Sequence, residues 1–341
     1  MPTMSDIALE CGISRSVVSL VLNGRDRELG IAAGTRDQIL RVAREMGYCR
    51  NELAASVAKK RSRVLAFVTA EMGSIEYTGR IQNGVLDAAS ARNYTVIALR
   101  LKGASQSDVT RKILGWKAAG AVFHVSLLEE AAPITAVLDR NGIPWGTVNL
   151  SNPGGIGVTT NDVSGIEQIV KLLRNNGHRR IAFLTIGESR VEFRVRREAG
   201  FARGIEMYCP AGNGGILRLE DDSAPGNTAA MAAFAENIRR NGIDAVICES
   251  DHLAAALARG ALAAGLAIPD AFSITGFGNS LIAEASFPRI TTVAQDFEEM
   301  GMRTVNRIAD VIGNRKISRE AENMLPVKII ERDSVANRNP A

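Results

Sequence analysis

Histidine and cysteine are scarce in this 341-residue chain, which has three histidines (His124, His178, His252) and four cysteines (Cys11, Cys49, Cys209, Cys248), never spaced as C-x-x-C. That scarcity argues against a zinc site and a disulfide framework, and no cofactor is expected. No run of 18 apolar residues occurs, because the most apolar stretch, 253–269, is interrupted by Arg259, Gly260 and Gly265. A membrane span and a membrane partner are therefore not expected. The opening Met-Pro-Thr-Met-Ser-Asp lacks a basic n-region and an apolar h-region, which reads as cytoplasmic. There is no P-loop, no G-x-S-x-G elbow and no G-x-G-x-x-G opening a helix after the first strand, so the chain is not expected to be an enzyme. The run Gly212-Asn213-Gly214-Gly215 is short and reads as a turn. Aromatics are only 5% of the chain, few for a site that would stack sugar rings.

What is present is an ordinary globular composition, 46% hydrophobic and 23% charged, long enough for two or three cored domains. The charge is uneven. Residues 1–63 carry 11 Lys/Arg against 7 Asp/Glu, whereas the remainder is balanced at 30 of each. A basic first fifth suggests a polyanionic partner if the local fold can present it.

That segment reads as short helices. Thr3-Met4-Ser5-Asp6 has the form of a capping box. Ile7, Ala8 and Cys11 give a brief amphipathic helix ended by Gly12. Ser14 is a second N-cap, and Val17, Val18, Val21 and Leu22 recur at helical spacing up to Asn23-Gly24. Two short helices around a tight glycine turn are the helix-turn-helix signature. Arg15, Ser16, Ser19 and Leu20 are left on the outer side of the second helix. A third helix over about 35–46 closes the core with Ile39, Leu40, Val42, Ala43 and Met46.

These motifs, with Thr35-Arg36 and Gly47-Tyr48 through Asn51, resemble the DNA-binding headpiece of the lactose-repressor (LacI/GalR) family over about 60 residues. The resemblance implies a duplex DNA operator as partner, with the second helix in the major groove. Carried over by position, Arg15 and Ser16 read base edges. Arg15 suits the task, because its planar fork can bond guanine O6 and N7 together. Thr3, Ser14, Ser19, Leu20, Asn23, Arg25 and Tyr48 complete the headpiece contact set, gripping phosphate for the most part. The stretch 51–61 is expected to form a hinge helix, with Asn51, Ala54, Val57 and Lys59 at the DNA and Val57 as the wedge between base steps. The chain departs from the family pattern at several points. Val57 stands where leucine is expected, Cys49-Arg50 replaces a proline, and the loop 24–34 looks about three residues longer than usual.

From Arg63 onward, apolar runs alternate with helical segments. Strands are expected at 64–70, 95–101, 119–126, 145–150, 156–159, 180–186, 216–219, 245–249, 272–277 and 290–294. Helices are expected at 79–92, 107–117, 131–141, 163–176, 196–207, 228–241, 252–265 and 297–312. The alternation implies parallel sheets covered on both faces, and the length suggests two doubly wound lobes with a ligand cleft between them. The expected fold class is thus α/β: an all-α helix-turn-helix headpiece plus a bilobed periplasmic-binding-protein-like body. Expected boundaries are 1–50 for the headpiece, 51–62 for the hinge, 63–333 for the body and 334–341 for a tail.

The resemblance continues through Gly177-His178-Arg179-Arg180-Ile181, Arg197-Glu198-Ala199-Gly200-Phe201, Glu249-Ser250-Asp251, Gly276-Phe277, Pro288 to Val293 and Leu325-Pro326 to Arg332. It implies a homodimeric transcription regulator, usually a repressor, whose operator affinity follows a small effector held between the lobes. Arg197 and Asp251 are the leading effector candidates, since a charged pair can clasp hydroxyls with charge-assisted bonds. An alternative for Asp251 is a helix N-cap. His124, Asn149, Asn161, Ser189 and Gln295, at strand ends or loop starts, are the others. The residues leave the effector open among a sugar, a nucleoside and a phosphate derivative, and a body that binds nothing remains the alternative. Phe123, Phe193 and Phe277 are the aromatics on offer, and Gly276-Phe277-Gly278 stands where relatives carry Gly-Phe-Asp.

Overall fold

The computed structural model describes residues 2–27, 30–49, 62–70, 76–187, 190–209, 215–220, 223–315 and 323–339. It divides into two compact units, Met1–Ser62 and Arg63–Ala341.

Among its described residues the first unit holds three helices: α1 (Met4–Cys11), α2 (Arg15–Leu22) and α3 (Ala33–Glu45). Each start and stop follows from the local sequence. At α1 the capping box is complete, as Thr3 N donates to Asp6 Oδ2 at 2.7 Å and Asp6 N donates back to Thr3 Oγ1 at 3.3 Å. Those bonds to Thr3 hold the Asp6 carboxyl below the usual carboxylate range. Gly12 then ends the helix at φ 67°, a left-handed conformation that glycine adopts without a Cβ clash. Ser14 caps α2 by accepting from Val17 N. The small core joins Ile7, Ala8, Val18, Val21, Ile39, Val42 and Ala43. Leu40, expected inside, is exposed on α3.

The second unit is two parallel sheets, each six-stranded. Lobe 1 is built on β1 (Val64–Thr69), β2 (Thr95–Arg100), β3 (Gly120–His124), β4 (Trp145–Val148), β5 (Ile156–Thr160) and the short β11 (Met324–Leu325), in the order β11-β5-β4-β3-β1-β2. Lobe 2 is built on β6 (Ile181–Ile186), β7 (Gly215–Leu219), β8 (Ala245–Cys248), β9 (Ser273–Gly278), β10 (Thr291–Ala294) and β12 (Lys328–Ile330), in the order β12-β10-β9-β8-β6-β7. Among the described strands only β12 runs antiparallel, against β10. Apolar runs such as Leu65-Ala66-Phe67-Val68 are wholly buried because helices cover both faces.

In lobe 1, α4 (Glu76–Ala91) and α12 (Phe297–Ile312) cover one face, and α5 (Gln106–Gly115) with α6 (Ala132–Arg140) the other. Helices α4 and α12 cross with Gly84 and Gly301 at the contact. A Cβ on Gly84 would lie 1.9 Å from the Glu298 carbonyl oxygen, so only glycine permits this approach. In lobe 2, α7 (Asp162–Asn175) and α8 (Glu192–Tyr208) oppose α9 (Thr228–Arg240) and α10 (Asp251–Ala263). The five-residue α11 (Leu281–Ala285) follows β9. The chain passes between lobes three times: from β5 to α7, from β10 to α12, and from β11 to β12.

The expected tail is corrected in part. Residues 334–339 are a packed strap on lobe 2, because they complete hydrogen bonds that the sheet edge would leave open. Ser334 is fully buried, accepts from Thr291 N at 2.9 Å and donates to the Ile274 carbonyl at 2.6 Å. Beyond it, Ala336 N donates to Ser273 Oγ, and Arg338 N donates to the Asn176 carbonyl at 2.7 Å.

Candidate functional site

In each sheet of the body the strand order reverses direction once, between β1 and β3 in lobe 1 and between β6 and β8 in lobe 2. Crevices at the carboxyl ends of the strands at such points are the natural binding positions of doubly wound sheets. A chamber of about 780 Å³ lies at the lobe 1 reversal. Its floor is Thr69, His124 and Asn149 at strand ends, its wall includes Lys102, Gln106 and Glu130, and Glu192 and Phe193 of α8 close it from lobe 2. A narrower throat of about 60 Å³ continues past Tyr77, Asn149 and Phe193 to Arg197, Phe277, Gln295 and Phe297, with Ser250, His252 and Ser280 alongside.

Arg197 is the most constrained side chain here. One of its Nη groups donates to the Glu249 carbonyl and the other to Gln295 Oε1 at 3.0 Å, while Nε lies 3.6 Å from Asp162 Oδ2. The guanidinium stacks 3.8 Å from the Phe277 ring centre and 4.7 Å from that of Phe193. Burial lowers its pKa from the ordinary guanidinium range, with Asp162 and Glu249 opposing. Gln295 links this group to lobe 1 by donating to Thr160 Oγ1 at 2.7 Å. Glu192 adds a second tie, accepting from Ser151 N at 2.8 Å and from Ser151 Oγ. Glu76 accepts from Leu281 N at 2.6 Å, and Arg80 bonds Glu298 at 2.9 Å while reaching the Asn279 carbonyl.

Asn149 takes φ 59° just past β4 and presents an Oδ1 that is buried without a hydrogen-bond partner. His124 sits against Tyr77 edge-on at 5.7 Å, with Thr69 Oγ1 3.4 Å from its Nδ1. Burial pushes the imidazole pKa down to about 4. The folded state therefore binds fewer protons than the unfolded chain between about pH 6.5 and pH 4, and stability is lost as pH falls through that window. Unfolding curves of the wild type and His124→Gln should diverge there, with the wild type losing up to about 1.4 kcal/mol more per pH unit. Parallel curves would contradict the burial.

The cleft gathers Arg197, Gln295, Asn149 and His124. It does not gather Asp251 and Asn161. Asp251 is fully buried one residue beyond the true cap, Ser250, and its oxygens are occupied: Oδ1 accepts from Thr292, and Oδ2 accepts from Ser280 N and Oγ. Burial raises the Asp251 pKa, and those bonds oppose the rise. Asn161 caps α7 by accepting from Ser164 N at 3.1 Å, with its own N–H on the Leu325 carbonyl. Phe123 is also outside the cleft, buried in the lobe 1 core against Trp145. Ser189 lies outside the described residues. Sequence reasoning missed Tyr77 and Phe297, whose rings stack at 5.3 Å, because a contact between two distant helices leaves no local pattern.

In the headpiece, Arg15 and Ser16 are exposed at the start of α2, and Ser19 and Leu20 are half-buried one turn on. The Asn23 amide is turned back on its own helix, donating to the Ser19 carbonyl at 2.6 Å and reaching Ser19 Oγ at 3.3 Å. The Thr3 and Ser14 hydroxyls serve as caps, Tyr48 packs on the core, and Arg25 is exposed. Asn51, Ala54, Val57 and Lys59 lie outside the described residues.

Comparison with known proteins agrees with both units. Residues 3–51 match the lacI family of bacterial regulatory proteins, and residues 170–335 match a periplasmic binding protein-like domain. The chain thus carries a lacI-family DNA-binding domain followed by a periplasmic binding protein-like domain. The HTH-type regulator CelR of Thermobifida fusca is 28% identical, over 91% of this chain and 92% of that protein. DegA of Bacillus subtilis (strain 168) is 26% identical over 99% of each. In fold, the chain is similar to a lac repressor dimer bound to operator and an anti-inducer, at TM-score 0.80 and 20% identity over 98% of this chain and 99% of that one. It is likewise similar to a CelR–cellobiose complex, at TM-score 0.65 and 23% identity over 98% and 100%. Among the described residues no helix is long and apolar enough to cross a membrane.

Proposed function

We propose that the chain is a dimeric, effector-controlled repressor of the LacI family that binds and does not catalyse, and that it works in the cytoplasm. Arg15 and Ser16 read base edges from α2, and Arg25 and Tyr48 contact the backbone together with the N-cap hydroxyls Thr3 and Ser14. The hinge positions Asn51, Ala54, Val57 and Lys59 engage the minor groove. Ser19 and Asn23 contribute less than their positions suggest, because they bond each other. The effector sits between the lobes against Asn149, His124, Gln295 and Arg197. The observation that carries the effector reading is the unpartnered Asn149 Oδ1, a buried acceptor on a residue that lines both parts of the cleft. Left permanently unmade, such a bond costs about 1–3 kcal/mol, which favours a ligand over a body that binds nothing.

An effector changes DNA affinity only as far as it prefers one lobe arrangement over the other. Gel-shift titration of the DNA upstream of the protein's own gene tests the DNA half of this reading. Arg15→Ala is expected to weaken specific binding by about 1–3 kcal/mol and to relax preference at one base position. An unchanged base preference would remove Arg15 from the readout.

A further inference from the structure

Over residues 64–341 the charges cancel, 30 basic against 30 acidic, yet in space they are unevenly placed. Strands β6, β8 and β9 run parallel, so the turns leading into them share one edge of lobe 2, opposite the cleft. Five exposed arginines stand on that edge. Arg174 and Arg239 lie in the last turns of α7 and α9, Arg179 and Arg180 precede β6, and Arg338 belongs to the strap. They are contiguous. Arg174 donates to the His178 carbonyl at 3.3 Å. A Cβ on Gly177 would lie 2.8 Å from the Arg338 backbone, and one on Gly242 would lie 3.3 Å from Arg180 Nη1. Arg338 in turn donates to the Pro269 and Asp270 carbonyls on the turn before β9. Among the described residues no carboxylate pairs with any of the five. The Asp244 carboxylate is turned onto the backbone N–H groups of Arg179 and Arg180, and Glu236 is taken by Arg240.

Two of the five answer a helix's need, since a cation in the last turn offsets the helix dipole. Arg179, Arg180 and Arg338 have no such role, and like charges gathered on one edge repel one another. Their planar forks match carboxylates or phosphates two bonds at a time. Duplex DNA fits this edge poorly. The arginines stand on turns and helix ends, present no helix face or ribbon to a groove, and belong to a body whose balanced charge offers little steering field. We propose that this edge of lobe 2 is a docking surface for an acidic protein segment, a site separate from both the headpiece and the cleft. Carboxylates on such a segment would meet guanidinium groups that no acid of the body neutralises.

Fluorescence anisotropy of the full-length protein tests this with a labelled peptide of alternating glutamate and alanine, against its glutamine-and-alanine counterpart. The glutamate peptide should bind, more weakly as salt shortens the screening length, and the glutamine peptide should not. A triple variant, Arg179→Gln with Arg180→Gln and Arg239→Gln, removes three charges whose side chains make no hydrogen bond among the described residues. It should keep its Tm and lose about tenfold in affinity for the glutamate peptide, as three exposed ion pairs together would give. Should the triple variant fail to fold, Arg239→Gln alone reads the same contact, with a loss of up to about fivefold. Absence of glutamate-peptide binding by the wild type overturns the proposal, as does equal binding of the glutamine peptide. Unchanged affinity in the folded variant overturns it too, by placing the peptide on the headpiece. An equal loss of non-specific duplex binding in the same variant would make the edge a nucleic-acid surface and overturn it likewise.

Discussion

Alanine at position 197 should destabilise the body by about 3–5 kcal/mol, the range for removing one partner of a buried charge cluster. The Glu249 carbonyl and Gln295 Oε1 lose their partner at once, and the fully buried Asp162 carboxylate loses one of two neighbouring guanidinium groups, keeping Arg196 at 3.2 Å and the Thr160 hydroxyl. The two aromatic faces on either side of the guanidinium, Phe193 and Phe277, would also close on an empty slot. Urea unfolding of the full-length protein measures the loss as a shift in midpoint at unchanged slope. Arg197→Lys should recover only part of it, since an ammonium is a point donor and cannot bond in two directions in one plane. A loss below about 1 kcal/mol for the alanine variant would mean that the cluster is more hydrated than its burial implies.

The second large effect concerns the headpiece. Residues 63–341 alone should keep the fold of the body, whose four apolar clusters contain no residue before Leu65. Sequence-specific DNA binding should disappear, a loss of about 4–10 kcal/mol relative to the intact protein's preference for its operator. What non-specific affinity the intact chain shows should fall steeply with salt, by about 0.9 in log K per phosphate neutralised for each tenfold rise in concentration. The body, with acidic and basic residues in balance, should show almost none. Operator binding by residues 63–341 comparable to the full chain would place the DNA contacts elsewhere.

The architecture was legible in the sequence for the long elements, with ends read up to four residues off, as at Glu192–Tyr208, expected to start at 196. The helix over 297–312 was read with its observed ends, because its buried residues recur at helical spacing and Asp296 caps it. The two short strands Met324–Leu325 and Lys328–Ile330 were not read, since two or three residues cannot show alternation. The lining of the cleft was legible where one strand end carried one polar residue, as at His124 and Asn149. It was misread where a polar residue satisfied a local need instead. Asn161 has the spacing of an N-cap, and Asp251 neighbours one, yet sequence alone does not say whether a carboxylate turns toward solvent or toward Ser280 and Thr292. Tyr77 and Phe297 were out of reach altogether, because their pairing depends on Gly84 and Gly301 letting two helices approach.

The packed strap has a practical use. Both tryptophans of the chain, Trp116 and Trp145, belong to lobe 1, whereas residues up to Asn339 are anchored to the Asn175–His178 corner of lobe 2. An acceptor dye attached behind the strap would therefore ride on one lobe while the natural fluorescence donors ride on the other. Energy transfer between them would serve as a built-in ruler for the angle of the cleft.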